Sequence, residues 1–178
     1  SAHHTRFEHC LGTMYMSQKI IDSVQRNYIN RNLIFGSSNK LTNFQIFPLY
    51  NRDIVMTRIA ALLHDGGHVA YGHLLEKEGN VLELTQWSDE YRLNYFFEKC
   101  GIQELIESYL RGAVGETESK KFVEELKQVL PAIEGVDPET GRLIPDEAPE
   151  DKAIGKLPRP YIGDIIGNTI CADLLDYV

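Results

Sequence analysis

Apolar residues recur every three or four positions along most of the chain, the spacing of one helix face. In the segment 7–29 these positions are Phe7, Leu11, Met14, Tyr15, Ile20, Ile21 and Val24. Thr5 precedes this segment and Glu8 follows three residues later, the pattern of a helix N-cap with a capping box. A polar connector follows over 30–48, and a second helix is predicted from Asn51 into His64.

The rest of the chain predicts further helices separated by glycine and proline. They cover 71–78, 89–100 (capped by Ser88 or Asp89), 102–110, 118–130 and 162–178. The stretch 131–160 holds six of the seven prolines and has little periodicity, so we expect a long irregular insertion that begins at Pro131. Because no strand pattern occurs, the sequence predicts one all-α domain over 1–178, and structural elements near both ends suggest a fragment of a longer chain.

The end of the second predicted helix carries the most informative chemistry. Ala60 to Leu63 lead directly into His64-Asp65, and His68 follows one helical turn after His64. Imidazole and carboxylate are ligands that divalent metals accept. Gly66 and Gly67 are poor helix residues unless backbone or ligand approaches closely. The spacing therefore predicts a helix that is interrupted at a binding site.

The His-Asp pair alone is also explained as a helix cap or a surface ion pair. The distribution of histidine favours the metal site. All six histidines lie in two short segments: His3, His4 and His9, and His64, His68 and His73. Surface histidines would be scattered.

Composition limits the classes of function. With 178 residues, 43% of them hydrophobic, the chain is long enough to bury a core, and it contains no apolar run of the roughly 20 residues that a membrane span needs. The net charge of −8 argues against a general nucleic-acid-binding role. Three widely spaced cysteines and no visible signal peptide indicate reduced thiols and a cytoplasmic location.

Three motifs occur in order along the chain: HTRFEHCLG from His4, LLHDGGHVAYGH from Leu62, and ADLLDYV from Ala172. Together they resemble the HD-domain phosphohydrolases, and more closely the deoxynucleoside triphosphate (dNTP) triphosphohydrolase branch of that superfamily. The resemblance implies an HD-domain helical bundle. It covers the three segments and the order of the helices, and neither 30–48 nor 131–160 has a counterpart.

The resemblance assigns His9, His64, Asp65 and Asp173 to one metal ion. Two imidazoles and two carboxylates leave coordination positions for water or phosphate, which fits Mn, Mg or Fe better than a closed zinc site. Considered alone, His9 is equally explained as a helix-face histidine. An isolated Asp173 is most often a solvated carboxylate, but on an apolar helix it would need a partner.

The same resemblance assigns the substrate contacts. Arg6 would bind phosphate through its planar guanidinium, and Tyr177 and Asp176 would lie near the sugar and a neighbouring side chain. For Arg6 the alternative is a surface arginine, and for Tyr177 a core tyrosine.

A second group of residues is assigned to the phosphate path and to proton transfer. His68 and His73 would line that path, with Glu76 near the catalytic group, although His73 and Glu76 could simply be an exposed pair. Asp89 stands where the family has a proton-donating histidine, and it is equally explained as an N-cap. Leu174 replaces a basic residue that contacts phosphate in the family.

The function implied by the resemblance is hydrolysis of a dNTP to deoxynucleoside and triphosphate through a metal-activated water. Two alternatives remain open. One is another HD phosphohydrolase activity, on nucleotide phosphomonoesters or cyclic phosphodiesters. The other is a catalytically impaired regulatory module that binds nucleotide. Relatives suggest a homo-oligomer with a possible nucleotide activator.

Overall fold

The computed structural model describes residues 5–35, 50–67, 89–133, 159–167 and 171–176. These residues form seven helices and no strand, which confirms the all-α class. The helices are α1 (Arg6–Phe35), α2 (Asn51–Leu63), α3 (Asp89–Lys99), α4 (Ile102–Val114), α5 (Glu116–Ile133), α6 (Pro160–Gly167) and α7 (Ala172–Asp176). No helix in the described ranges is both long and apolar enough to cross a bilayer.

The first helix begins with the predicted capping box. The backbone N–H of Glu8 donates to the Thr5 hydroxyl at 3.2 Å, and the backbone N–H of Thr5 donates to the Glu8 carboxylate at 2.8 Å. Helix α1 then continues to Phe35, into the region predicted as a connector. The segment 30–35 contains no glycine or proline, so nothing in it interrupts the backbone hydrogen bonds before Gly36.

The predicted stop at Pro131 was wrong. Helix α5 passes through Pro131 and ends at Ile133. A proline removes one helical hydrogen bond, but here packing against α6 holds the last turn. At Gly167 of α6, an added Cβ would lie 2.8 Å from the Ile133 carbonyl oxygen, so the two backbones are in close contact.

The single predicted helix over 162–178 was also wrong. Helix α6 ends at Gly167, and Cys171 is not helical. Cys171 instead begins the short α7: its carbonyl accepts a hydrogen bond from the Leu175 N–H at 3.0 Å, and its thiol accepts one from the Leu174 N–H at 3.4 Å.

One hydrophobic core joins the helices. Helix α1 packs against α2 and α7, while α5 packs against α4 and α6. The largest fully buried apolar side chains come from α1, α2, α3, α5 and α6: Ile21, Met56, Phe97, Leu126, Leu130, Ile162 and Ile166. Because α1 packs against both α2 and α7, the described parts of the three motif segments lie close together.

A network of ion pairs anchors the start of α6. Arg159 has a left-handed backbone (φ 59°), and its guanidinium pairs with the buried Asp53 of α2 and with Glu125 of α5. Asp53 also accepts a hydrogen bond from the Tyr50 N–H at 3.0 Å, and Arg52 pairs with Glu125 at 3.0 Å. The network fixes the entry to α6, and through it the position of α7.

Two predicted segments lie outside the described residues. They are the short helix over 71–78 and all of the predicted insertion after Ile133 up to residue 158.

Candidate metal centre

Helix α1 brings His9 to the candidate metal centre. His9, Thr13, Ser17 and Ile21 are spaced by four residues and form the buried face of α1. His9 is 3% exposed, and its ring is 5.6 Å from the His64 ring, with 63° between their planes. The capping box fixes the turn that precedes His9, so the His9 imidazole extends from a helix start that is held in place.

His64 and Asp65 form the turn that follows α2. Ala60 and Ala61 are fully buried, so the last helical turn is held in the core. His64 Nδ1 lies 2.7 Å from the Ala61 carbonyl oxygen. A carbonyl can only accept, so Nδ1 carries a proton, and in the neutral imidazole Nε2 has the free lone pair that a metal would need. This is the arrangement in which an outer hydrogen bond orients a metal-ligating imidazole.

Gly66 allows the turn to approach α3. A Cβ added at Gly66 would lie 3.0 Å from the Leu63 carbonyl oxygen and 3.4 Å from the Leu93 side chain. The Gly66 N–H donates to that same Leu63 oxygen at 2.9 Å. The close approach expected from the glycine is therefore present, and it holds the His64-Asp65 turn against the bundle.

Asp173 in the first turn of α7 lies against both histidines. Its Oδ1 is 2.8 Å from His9 Nε2 and 3.7 Å from His64 Nε2. Asp65 Oδ2 is 4.0 Å from His9 Nε2. Two imidazoles and two carboxylates from three separate segments therefore meet.

The residues present fit a divalent cation. The donor atoms of His9, His64 and Asp65 all lie within 4.8 Å of one another. Ligands at about 2.0–2.2 Å from one ion would be at most about 4.4 Å apart, so only small adjustments are needed. His64 Nε2 is buried and has no hydrogen-bond partner among the described residues. An orphaned buried nitrogen is costly, and a cation would satisfy it.

The electrostatics of the cluster are consistent with this fit. The His64 imidazole, helped by the charge of His9, lowers the pKa of the Asp173 carboxyl, although burial opposes the effect. Burial lowers the pKa of His64, but Asp173, the Ala61 carbonyl and Asp65 together raise it. The two carboxylates thus favour positive charge among the imidazoles.

Arg6 lies at the rim of the cluster. Its Nη1 is 3.4 Å from Asp65 Oδ2, and its side chain is about half exposed. The guanidinium therefore has one side on the candidate metal centre and the other open to solvent, where an anionic ligand could reach it.

Sequence reasoning missed two neighbours of the site. One is the Ala61 carbonyl, which the position of His64 just after a helix end could have suggested, because the last carbonyls of a helix lack intrahelical partners. The other is Cys10, which is buried next to His9. Burial and the charge of Asp65 raise the pKa of the Cys10 thiol, so it packs as a neutral side chain.

The other predicted site residues are not brought to this cluster by any described contact. His68, His73, Glu76 and Tyr177 lie outside the described residues. Asp89 is the first residue of α3 and Asp176 the last of α7, and their side chains are likewise outside what the structure describes.

Comparison with known proteins adds two findings. An uncharacterized protein of Methanocaldococcus jannaschii is 37% identical over 76 residues, which is 43% of this chain and 11% of that protein's length. The chain thus matches only a small part of this curated relative. No solved structure matches it significantly.

The profile of the HD domain matches residues 6–148, most of the chain. This range includes His9 and the His64-Asp65 pair, and it ends before Asp173. The match and the clustered histidines and aspartate lead to one conclusion. The chain belongs to the HD-domain family.

Proposed function

We propose that this chain is a metal-dependent phosphohydrolase acting on nucleotides, with dNTPs as substrates and deoxynucleoside plus triphosphate as products. One observation supports it most: a buried imidazole nitrogen of His64, which has no hydrogen-bond partner among the described residues, lies among His9, Asp65 and Asp173. The two carboxylates balance the charge of a divalent cation, and the two imidazoles bring the number of donors to four. Mn, Mg or Fe suit this donor set better than zinc.

His9, His64, Asp65 and Asp173 would hold the ion. When bound, a divalent cation lowers the pKa of coordinated water and polarises phosphate oxygens. Asp65 has a second role, because its carboxylate also orients the Arg6 guanidinium at 3.4 Å. Arg6 is thereby presented at the edge of the site, where it would bind a phosphate group of the substrate.

The remaining assignments belong to this proposal. His68 and His73 would line the phosphate path, with Glu76 near the catalytic group. Tyr177 would lie near the sugar, and Asp176 would orient a neighbouring side chain. Asp89 would replace the family's proton donor, which requires a pKa near neutrality. A cytoplasmic location and a nucleotide activator remain predictions.

Product analysis separates the proposed reaction from its alternatives. Purified protein with Mn²⁺ or Mg²⁺ is incubated with the four dNTPs, nucleoside monophosphates and cyclic nucleotides. Triphosphate plus deoxynucleoside is the expected product pair. Orthophosphate from monophosphates, or monophosphate from cyclic nucleotides, would indicate another HD phosphohydrolase activity. No turnover together with a nucleotide-induced rise in Tm would indicate a regulatory module.

Asp65→Ala tests the metal assignment. It removes a charged ligand, so we expect loss of bound metal in elemental analysis and loss of hydrolysis. Asp164→Asn on α6 is a matched control, because Asp164 is an exposed aspartate on a helix that contributes no proposed ligand. Full activity of Asp65→Ala at unchanged metal content would refute the assignment.

Asp89→His tests the proton-donor assignment. If Asp89 occupies the position of the family's histidine, restoring an imidazole should increase dNTP hydrolysis, since imidazole titrates near neutral pH. An unchanged rate would indicate that Asp89 acts only as the N-cap of α3.

A further inference from the structure

Helix α7, which carries Asp173, is too short to hold its conformation by itself. It has five residues, Ala172–Asp176. Because the first turn of a helix costs conformational entropy before hydrogen bonds offset it, isolated helices shorter than about 12–15 residues are marginal in water. The conformation of α7 therefore depends on its N-cap and on its packing against α1 and α6. Whatever holds this helix also holds the Asp173 carboxylate, which lies 2.8 Å from His9 Nε2.

Cys171 provides the N-cap of α7. Its carbonyl accepts the Leu175 N–H at 3.0 Å, which is the first hydrogen bond of the helix. Its thiol accepts the Leu174 N–H at 3.4 Å. That N–H is one of those that a helix start leaves without a backbone partner, and the side chain of an N-cap residue is placed to accept it. The hydrogen bond between Cys171 and Leu174 thus closes a turn that contains Asp173.

The two sides of this turn have different surroundings. Cys171 is 3% exposed and Ala172 is fully buried, whereas the Asp173 side chain is 39% exposed. The core holds the buried side in place, and solvent reaches the side that carries the carboxylate. The thiol hydrogen bond links the two sides, so its loss should give the backbone around Asp173 more freedom.

A thiol is suited to this buried position. The usual N-cap residues are Ser, Thr, Asp and Asn, and cysteine is not among them. A buried thiol packs as a small apolar side chain whose weak S–H donor needs no partner, and its sulfur still accepts the Leu174 N–H. Serine would keep an acceptor at this position, while alanine and valine would not, so these three substitutions isolate the hydrogen bond.

We propose that Cys171 is a positioning residue of the candidate metal centre, whose thiol closes the first turn of α7 and thereby keeps the Asp173 carboxylate against His9 and His64. The thiol acts through Asp173, since the donor atoms that lie together among the described residues include no cysteine sulfur. The inference rests on the metal assignment in the proposed function, and it does not depend on which phosphate ester is hydrolysed.

Metal affinity of Cys171 variants tests the role of the hydrogen bond. Isothermal titration calorimetry of the full chain with Mn²⁺ measures Kd for each variant. Cys171→Ala should raise Kd about tenfold, the lower end of the range for losing an outer partner of a metal ligand. Cys171→Val fills more of the thiol's volume without an acceptor, and it should raise Kd to the same extent. Cys171→Ser keeps an acceptor and should stay within about threefold of wild type.

Ser119→Ala is the matched control. Ser119 is fully buried in the first turn of α5, and its hydroxyl donates to the Glu116 carbonyl at 2.9 Å. The substitution therefore also removes a buried hydrogen bond between a side chain and the backbone at a helix start, but α5 carries no proposed ligand. It should lower Tm and leave the Kd for Mn²⁺ unchanged.

A double-mutant cycle tests whether Cys171 acts through Asp173. Asp173→Asn alone should weaken Mn²⁺ binding about 100-fold. If the thiol only positions this carboxylate, adding Cys171→Ala should leave Kd about 100-fold above that of wild type. Independent effects would multiply to about 1,000-fold, and that result would overturn the proposal.

Amide hydrogen exchange tests whether the turn itself responds. In the metal-free protein the Leu174 amide should exchange faster in Cys171→Ala than in wild type or Cys171→Ser. Faster exchange with an unchanged Kd would make Cys171 a structural cap only, and would overturn the proposal without affecting the metal assignment. Mn²⁺ binding that depends on Cys171 as expected, without dNTP hydrolysis, would support the inference and refute the proposed reaction. A wild-type chain that binds no Mn²⁺ would overturn both.

Discussion

Removal of the Asp173 carboxylate should separate metal binding from folding. Asp173→Asn keeps the shape of the side chain and removes its charge. In the metal-free protein the substitution should change the free energy of unfolding only slightly. The Asp173 side chain is 39% exposed, and an ion pair that solvent reaches contributes about 0–1 kcal/mol. The metal-free Tm should therefore move by only a few degrees, since about 1 kcal/mol shifts Tm by roughly 2–4 °C in a domain of this size.

The effect of the substitution on metal binding should be large. For wild type, Mn²⁺ at 100 times its Kd stabilises the fold by about 2.7 kcal/mol, which corresponds to a rise in Tm of roughly 5–11 °C. Loss of an outer partner of a metal ligand typically weakens binding about 10–100-fold, and loss of a ligand should reach the upper end. At the same Mn²⁺ concentration, a 100-fold weaker site gains only about 0.4 kcal/mol, or roughly 1–2 °C.

Differential scanning calorimetry with and without Mn²⁺ measures both the metal-free Tm and the rise in Tm that Mn²⁺ produces. Asp164→Asn, which changes an exposed aspartate of α6, should retain the full Mn²⁺-induced rise. If Asp173→Asn also retains it, Asp173 is not a ligand and the four-donor site is wrong.

Two further predictions concern stability. Asp53→Ala removes the buried carboxylate partner of Arg159, which keeps its pairing with Glu125, and removes the acceptor of the Tyr50 N–H; calorimetry should show a loss of about 1.5–3 kcal/mol. Gly167→Ala should lower the free energy of unfolding by about 1–3 kcal/mol in urea titration, because the added methyl would meet the Ile133 carbonyl oxygen at 2.8 Å.

Matched variants control these two predictions. Glu118→Ala removes a carboxylate that pairs with Arg52 and is about half exposed, so it should cost less than about 1 kcal/mol. Gly112→Ala adds a methyl that meets nothing within 4 Å in a helix interior, and it should stabilise by about 0.5–1 kcal/mol. Equal effects of Gly112→Ala and Gly167→Ala would contradict the packing argument.

The sequence predicted the elements whose signals are local. The capping box of α1 and the start of α2 at Asn51 follow from side chains close in the chain, and both were confirmed. The end of α5 was mispredicted because a tertiary contact with Gly167 outweighs the effect of Pro131. The break before α7 was missed because the apolar content of 162–178 does not show where one helix ends and the next begins.

The candidate site shows the same difference between features set by local sequence and features set by tertiary packing. The residue types and their order along the chain came from motifs, but neither the Ala61 acceptor of His64 nor the distance from His9 to Asp173 could be read from them. These features depend on how α1 and α7 pack around the end of α2. The ligand roles themselves remain predictions that metal analysis must test.

The contact between His9 and Asp173 joins the first and last of the described helices. A pairing of such long sequence separation forms late, since the entropy of closing the loop must first be offset by other contacts. Metal affinity during refolding should therefore report how complete the tertiary structure is. A chain with native helices and an unfinished tertiary structure would hold His64 and Asp65 together while His9 and Asp173, the other two proposed ligands, are still apart.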